Sequence, residues 1–375
     1  MVPFKYGKVI ETSFFVNREK EILSLHRNFE SKINTILISP RRWGKSSLVK
    51  NASLSLASKN HKIVPCYLDL FNVRDEKEFY EQFSRAIIMA SCSKWEERLR
   101  TIKAIFKVIT PKITVGVDPT TEFELGFDIN EVKKHPNEIL NLAETISKLK
   151  KIELIVCIDE FQNISHFENP LAFQKKLGAN WQHHHKAVYC LYGSKRNMLT
   201  HLFEHKSMPF YKFGDVHFLS KINEEHWVNY IRKQFKRTKK EISLEAAMLI
   251  AQLMENHSYF VQQLARESWE KTTKSCTENT VQSALQDLLI TSDLLFQKEI
   301  DLLSNKQVNF LKALVDDVQQ FSTAIVIQKY DLGSSANVIR VRKALVDKEV
   351  IDIYGKTIEF MDPLFKQWMK RVYMA

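Results

Sequence analysis

Apolar side chains recur at helical spacing in residues 18–31 (Ile22, Leu23, Leu25, Phe29), which predicts a helix before the first strand. The short run Thr35-Ile36-Leu37-Ile38 stops at Ser39-Pro40, and a helical pattern resumes over 45–58. This is strand, loop, helix. A second strand is expected over 62–70, where β-branched and alternating residues end in Asp69, followed by a helix over 76–90. Residues 112–126 hold two alternating segments, KITVGV and EFELGF, around Asp118-Pro119-Thr120-Thr121, and predict a β-hairpin inserted in the first domain. A helix over 136–150 leads into 152–158, a continuous apolar run suited to a strand buried on both faces of a parallel sheet; 187–192 is another. Strands alternating with helices in this order imply a three-layer α/β domain.

Beyond about residue 220 the periodicity is helical, over 224–235, 244–254 and 259–270, with no strand signal between. Near residue 300 the texture changes. Helices are expected over 305–316, 322–330 and 335–347, then strands over 350–354 and 357–361 on either side of Gly355-Lys356, which is the layout of a winged helix. The expected domains are therefore a core over 1–218, a helical segment over 219–297 and a winged helix over 298–375.

Composition narrows the class without naming it. A hydrophobic share of 44% and a charged share of 26% describe a folded chain, neither disordered nor membrane-embedded. The N-terminal residues lack the apolar run of a secretory signal, and no later stretch approaches the roughly 18 apolar residues of a membrane span, so the cytoplasm is the expected compartment. Cys66, Cys92, Cys157, Cys190 and Cys276 are scattered with no C-x-x-C spacing, which argues against a zinc site or a disulfide framework. The net charge of +11 is dispersed; its densest run, 232–240, reads as a solvated helix end and loop. His183-His184-His185, with no carboxylate or cysteine at metal-ligand spacing, reads as an exposed helix face.

Chemistry concentrates in three places. Ser39-Pro40-Arg41-Arg42-Trp43-Gly44-Lys45-Ser46-Ser47 fits the phosphate-binding pattern G-x-x-x-x-G-K-[ST] at every defined position but the first, where serine replaces glycine. In such a loop backbone N–H groups and the helix N-terminus cradle phosphates, the lysine (Lys45) reaches the β and γ phosphates, and the next hydroxyl (Ser46) ligates magnesium. Later in the chain, Leu154-Ile155-Val156-Cys157-Ile158-Asp159-Glu160 is an apolar strand ending in two carboxylates. Asp159 is placed to hold Mg2+ and Glu160 to orient and deprotonate an attacking water. After the strand 187–192, Ser194 could sense the γ-phosphate or position that water.

With these motifs in order, the chain resembles the archaeal-type AAA+ ATPases, close to the signal-transduction ATPases with numerous domains. The resemblance is carried by Phe15-Val16-Asn17-Arg18-Glu19, the loop with Arg41-Arg42, Ile158-Asp159-Glu160-Phe161-Gln162, Tyr192-Gly193-Ser194, Asn256-His257-Ser258-Tyr259-Phe260-Val261-Gln262, and a closing Asp362-Pro363-Leu364-Phe365-Lys366-Gln367-Trp368. It implies an AAA+-like P-loop NTPase core, a helical lid and a C-terminal winged helix. It also implies that Phe15, Val16 and Arg18 lie near the adenine, and that the lid motif, with His257 and Tyr259, approaches the nucleotide. Relatives often follow Pro209-Phe210-Tyr211 with an arginine, whereas this chain has Lys212, which can replace an arginine finger only as a point charge.

The expected activity is slow ATP hydrolysis, with ATP/ADP and Mg2+ as ligands, in a molecular switch that reports to a protein partner through the winged helix. The rival is a DNA-binding initiator or regulator. Ser334, Ser335, Asn337, Arg340, Arg342 and Lys343 on the third helix, with Lys356 at the wing tip, are of types that contact phosphates and base edges. Residues 305–375 hold 11 Lys/Arg against 8 Asp/Glu, a thin balance for an autonomous DNA binder.

Overall fold

A computed structural model describes residues 2–10, 15–105, 111–114, 124–127, 136–355 and 357–374. Strands β1 (Thr35–Ile38), β2 (Ile63–Asp69), β5 (Glu153–Asp159), β6 (Ala187–Gly193) and β7 (Asp215–Phe218) form one parallel sheet in the order β2-β5-β6-β1-β7. The apolar runs of β1 and β6 are buried along their whole length, which is why they read as continuous rather than alternating. Aromatic and aliphatic side chains cover each face of the sheet. Phe79, Phe83, Phe161 and Trp181 pack on one side, and Leu25, Phe29, Leu48 and Leu56 on the other. Of the first helix, Glu19–Glu30, Leu25 and Phe29 are buried as the spacing predicts, but Leu23 is 61% exposed.

Strands β3 (Pro111–Thr114) and β4 (Glu124–Phe127) pair antiparallel with Pro111 opposite Phe127, as the predicted insertion requires; the turn expected at 118–121 lies outside the described residues. Strand β7 was not anticipated. Asp215-Val216-His217-Phe218 is short, half-exposed and at the sheet edge, so neither its length nor its pattern announces a strand. The helices Trp95–Ile105, Pro170–Trp181 and Arg196–Glu204 were not anticipated either.

The second half follows the predicted helices closely, at Glu224–Arg237, Leu244–Leu253 and Ser258–Lys271. The expectation of an uninterrupted helical region needs correction, because Glu241–Ile242 (β8) and Ser275–Cys276 (β9) pair as a minimal parallel bridge. Two residues are too few to leave a period. One helix, Glu278–Asp301, runs unbroken through residues 297 and 298. Beyond it come helices Asn305–Val315, Ala324–Lys329 and Ser335–Asp347, then the hairpin of β10 (Ile351–Tyr354) and β11 (Thr357–Phe360). The wing-tip Lys356 lies outside the described residues. The helices after β7 and the winged helix share one apolar core, in which Phe296 packs against both Phe365 and Trp368.

All five cysteines are buried and unpaired, as small hydrophobes. The histidine triplet departs from expectation. It follows the end of the helix Pro170–Trp181, and His184 is not on an exposed face: it is half-buried and bonded to Tyr189 Oη (2.9 Å) and Asn141 Oδ1 (2.8 Å). No helix among the described residues is long and apolar enough to cross a membrane.

Candidate functional site

The parallel pairing places the C-terminal ends of β1, β5 and β6 side by side, the edge at which open α/β sheets bind ligands. Ile38 lies opposite Gly193, and Ile158 opposite Leu191, so the loop after β1, the carboxylates after β5 and Ser194 after β6 must converge. They do. Lys45 opens the helix Lys45–Lys59 after Gly44, whose φ of 93° suits a residue without a Cβ. The Lys45 ammonium donates to Glu160 Oε1 at 2.8 Å and stands 3.6 Å from Asp159 Oδ1. The Ser46 hydroxyl donates to Asp159 Oδ2 at 2.6 Å, and the Ser194 hydroxyl to Glu160 Oε2 at 2.9 Å.

Glu160 is also the first residue past the strand and sits at φ 48°, a left-handed conformation that turns its carboxylate back toward the loop. Gln162 Nε2 donates to the same Oε2 as Ser194. Gly193 makes room for that amide, since a Cβ there would come 1.9 Å from Gln162 Oε1.

The pKa values of the two carboxylates are shifted in opposite directions. Burial raises the pKa of Asp159, and Lys45 and the Ser46 hydroxyl only partly oppose it. Burial pushes Glu160 up as well, but the Lys45 charge and hydrogen bonds from Lys45, Gln162 and Ser194 prevail and hold it below the usual range. Ser46 and Asp159 present hard oxygen donors next to a phosphate loop. That is the set Mg2+ takes when phosphates and water complete its shell, so no group of three ligating side chains is needed, and none occurs among the described residues.

A cavity of about 510 Å3 opens over the loop, lined by Arg42, Gly44, Lys45, Ser46 and Ser47 on one side and Ser258, Tyr259 and Gln262 on the other. Its third wall was not foreseen. Residues Tyr6 to Ile10 strap across the loop, Ile10 N donating to Ser47 Oγ (2.9 Å) and Asn51 Nδ2 to Ile10 O (2.8 Å). No period or motif marks that segment in the sequence. Tyr259 meets Tyr6 edge-on at 5.2 Å, with the Arg42 guanidinium 4.9 Å over its ring.

Several expected residues stand elsewhere. Ser39 is fully buried under the loop, its N–H donating to Gly193 O at 3.3 Å. Pro40 and Trp43 line a separate cavity of about 210 Å3 with His257, which meets Trp43 edge-on at 6.2 Å. His257 therefore does not line the phosphate-loop cavity. It precedes the helix Ser258–Lys271, whose next residues do, and burial drops its pKa to about 3. Arg41 turns the opposite way from Arg42, toward Glu349 of the winged helix at 2.7 Å. Of the segment expected near the adenine, Phe15 packs on the first helix's side of the sheet, Val16 joins the core of the second half, and Arg18 is buried, donating to Glu21 (2.8 Å) and Ser220 O (2.7 Å). Lys212 lies at the far edge of the sheet, since Asp215 just after it pairs with Thr35 at the start of β1.

Residues 42–171 match the family model described as the KAP family P-loop domain, and residues 294–371 match one described as "Probable winged helix domain". This chain is a P-loop NTPase core joined to a winged helix. Its sequence matches no curated protein. Among solved structures, the P-loop NTPase chain resembles the Walker-type ATPase PABY2304 of Pyrococcus abyssi, with a TM-score of 0.68 at 15% identity over 99% of this chain and 100% of that one. It also resembles the ORC2 protein of Aeropyrum pernix in ADPNP–ADP complexes, with a TM-score of 0.55 at 12% identity over 99% of this chain and 100% of that one. At such identities the likeness is one of fold.

Proposed function

We propose that the chain binds Mg2+-ATP and hydrolyses it slowly, as a nucleotide-dependent switch of the archaeal-type AAA+ kind, close to the signal-transduction ATPases. The observation that carries this reading is the contact of Lys45 with Glu160 at 2.8 Å, beside the Ser46–Asp159 hydrogen bond. A phosphate-loop lysine and a strand-end carboxylate that neutralise each other are poised for exchange. An arriving γ-phosphate takes the ammonium, and Glu160 is freed to accept a proton from water. Mg2+, held by Ser46 and Asp159, would neutralise charge developing on the phosphates. The Tyr6–Ile10 strap and the start of Ser258–Lys271 close the cavity from both sides, with 219–297 as the lid. The lid shares its core with the winged helix, so closure carries the winged helix along to a protein partner.

Replacing Lys45 by Ala removes the cation from the phosphate nest and is expected to abolish ATP binding. Isothermal titration with unchanged ATP affinity would overturn the assignment. The rival, a DNA-binding regulator, draws on the exposed Ser335, Arg340 and Lys343 of the helix Ser335–Asp347.

A further inference from the structure

A third cavity, of about 320 Å3, lies between the core and the winged helix and is lined by Arg41, Ser194, Lys195, Arg196, Glu349 and Asp352 among others. Ser194 connects it to the chemistry, because its hydroxyl also bonds Glu160. The cations come from two separate segments, the phosphate loop and the start of the helix Arg196–Glu204. That helix has no side-chain cap on its first N–H groups.

The winged helix fills this cationic wall with carboxylates. Glu349 bridges Arg41 (2.7 Å) and Lys195 (3.7 Å), and Asp352 stands 3.3 Å from one Arg196 nitrogen. The match is incomplete. Arg196 Nε and Nη1 are buried with no hydrogen-bond partner, although its guanidinium also lies 4.7 Å over the Tyr354 ring. Buried charged donors without acceptors are costly, and they mark where a further acceptor would be stabilised. Glu349 spans two cations with its two oxygens, a role that an oxyanion with several oxygens can also fill, and the cavity of about 320 Å3 far exceeds the roughly 10–15 Å3 that one water needs.

We propose that this cavity is an oxyanion site for orthophosphate, in competition with Glu349 and Asp352 for Arg41, Lys195 and Arg196. The inference rests on the ATPase reading for its source of phosphate. Phosphate released beside Glu160 would pass Ser194 into the cavity, displace the two carboxylates and loosen the winged helix from the core. The site thus converts product release into movement of the C-terminal domain.

The test is orthophosphate titration of full-length protein saturated with ADP, and again in Lys45→Ala protein, so that binding through the Lys45 ammonium is removed. Glu349→Gln with Asp352→Asn removes the competitor and is expected to raise orthophosphate affinity at least tenfold in both backgrounds. Adding Lys195→Gln or Arg196→Gln is expected to reverse the gain, with circular dichroism confirming the fold of each. Hydrogen exchange at residues 349–361 is expected to speed up when phosphate binds the otherwise unaltered wing. Affinity unchanged by the carboxylate substitutions overturns the proposal, as does binding that vanishes with Lys45→Ala, or a double variant that takes up duplex DNA but not orthophosphate. Failure of ADP to bind would instead count against the ATPase reading, while the Lys45→Ala titration would still decide the anion site.

Discussion

Glu160 illustrates how much one side chain depends on its neighbours. Lys45, Ser194 and Gln162 all donate to it, so its charge is held by three donors rather than by solvent. Glu160→Gln keeps the shape but cannot take a proton from water, so phosphate release is expected to fall by at least a hundredfold while ATP still binds. Steady-state release near the wild-type rate would remove Glu160 as the base. The residues themselves were legible, as a lysine in a Gly-Lys-Ser loop and two carboxylates after an apolar run, but the direct Lys45–Glu160 contact was not, because no local pattern pairs residues 115 positions apart. Gln162 was not, because an amide two residues on has no visible partner until the turn at Glu160 folds it back. His184 carries a different prediction. Burial lowers its pKa to about 4, below the unfolded value of about 6.5, and the neighbouring Lys148, His183 and His185 add to the shift against the opposing Glu144 charge. Its folded form resists protonation, so stability is greatest above pH 6.5 and declines between pH 6.5 and 4, by about 3 kcal/mol at most. Thermal melting of His184→Asn across that range is expected to show a flatter profile than the parent; an equally steep one would place the pH dependence elsewhere.

Between elements, the decisive contact is the close approach of β6 to the turn after β5. Gly193→Ala would drive a Cβ into Gln162 Oε1 and stand 3.3 Å from Leu199 Cδ1. The expected cost is about 1–3 kcal/mol, as for other overpacked sites, with slower phosphate release because Gln162 is pushed from Glu160. Adding Gln162→Ala is expected to recover part of the melting temperature, and no recovery would show that the strain lies against Leu199 instead. Long, strongly periodic helices such as Glu224–Arg237 were readable within two residues of their ends. Strand β7 was not, because an edge strand of four residues draws its stability from Thr35–Ile38 beside it rather than from its own pattern.

Among the described residues, three apolar clusters divide the labour. Two cover the faces of the sheet, and the third runs without a break through the second half. Ion pairs tie the winged helix to the rest of the chain, Arg41–Glu349 and Arg196–Asp352 from the core and Lys221–Glu359 from the segment after it, at 2.7, 3.3 and 2.7 Å. Such pairs are individually weak and easily exchanged, which suits a joint that must open. They also commit the wing's carboxylates to the core, leaving Arg340 and Lys343 as the exposed cations of the helix Ser335–Asp347. Duplex DNA is therefore expected to bind only in the non-specific range of about 10−4–10−6 M, with a shallow salt slope. Nanomolar, sequence-dependent binding in a filter assay would favour the DNA-regulator reading. By itself the sequence determined the phosphate loop, the two carboxylates, the alternation of strands and helices, and the winged helix, because each is encoded within a few neighbouring residues. Only the tertiary structure decided that Arg41 and Arg42 part company, that Tyr6–Ile10 rather than Phe15–Arg18 walls the cavity, and that His257 lines a separate cavity. Those outcomes depend on contacts between residues far apart in the chain, and local pattern carries no record of which distant surface a side chain will meet.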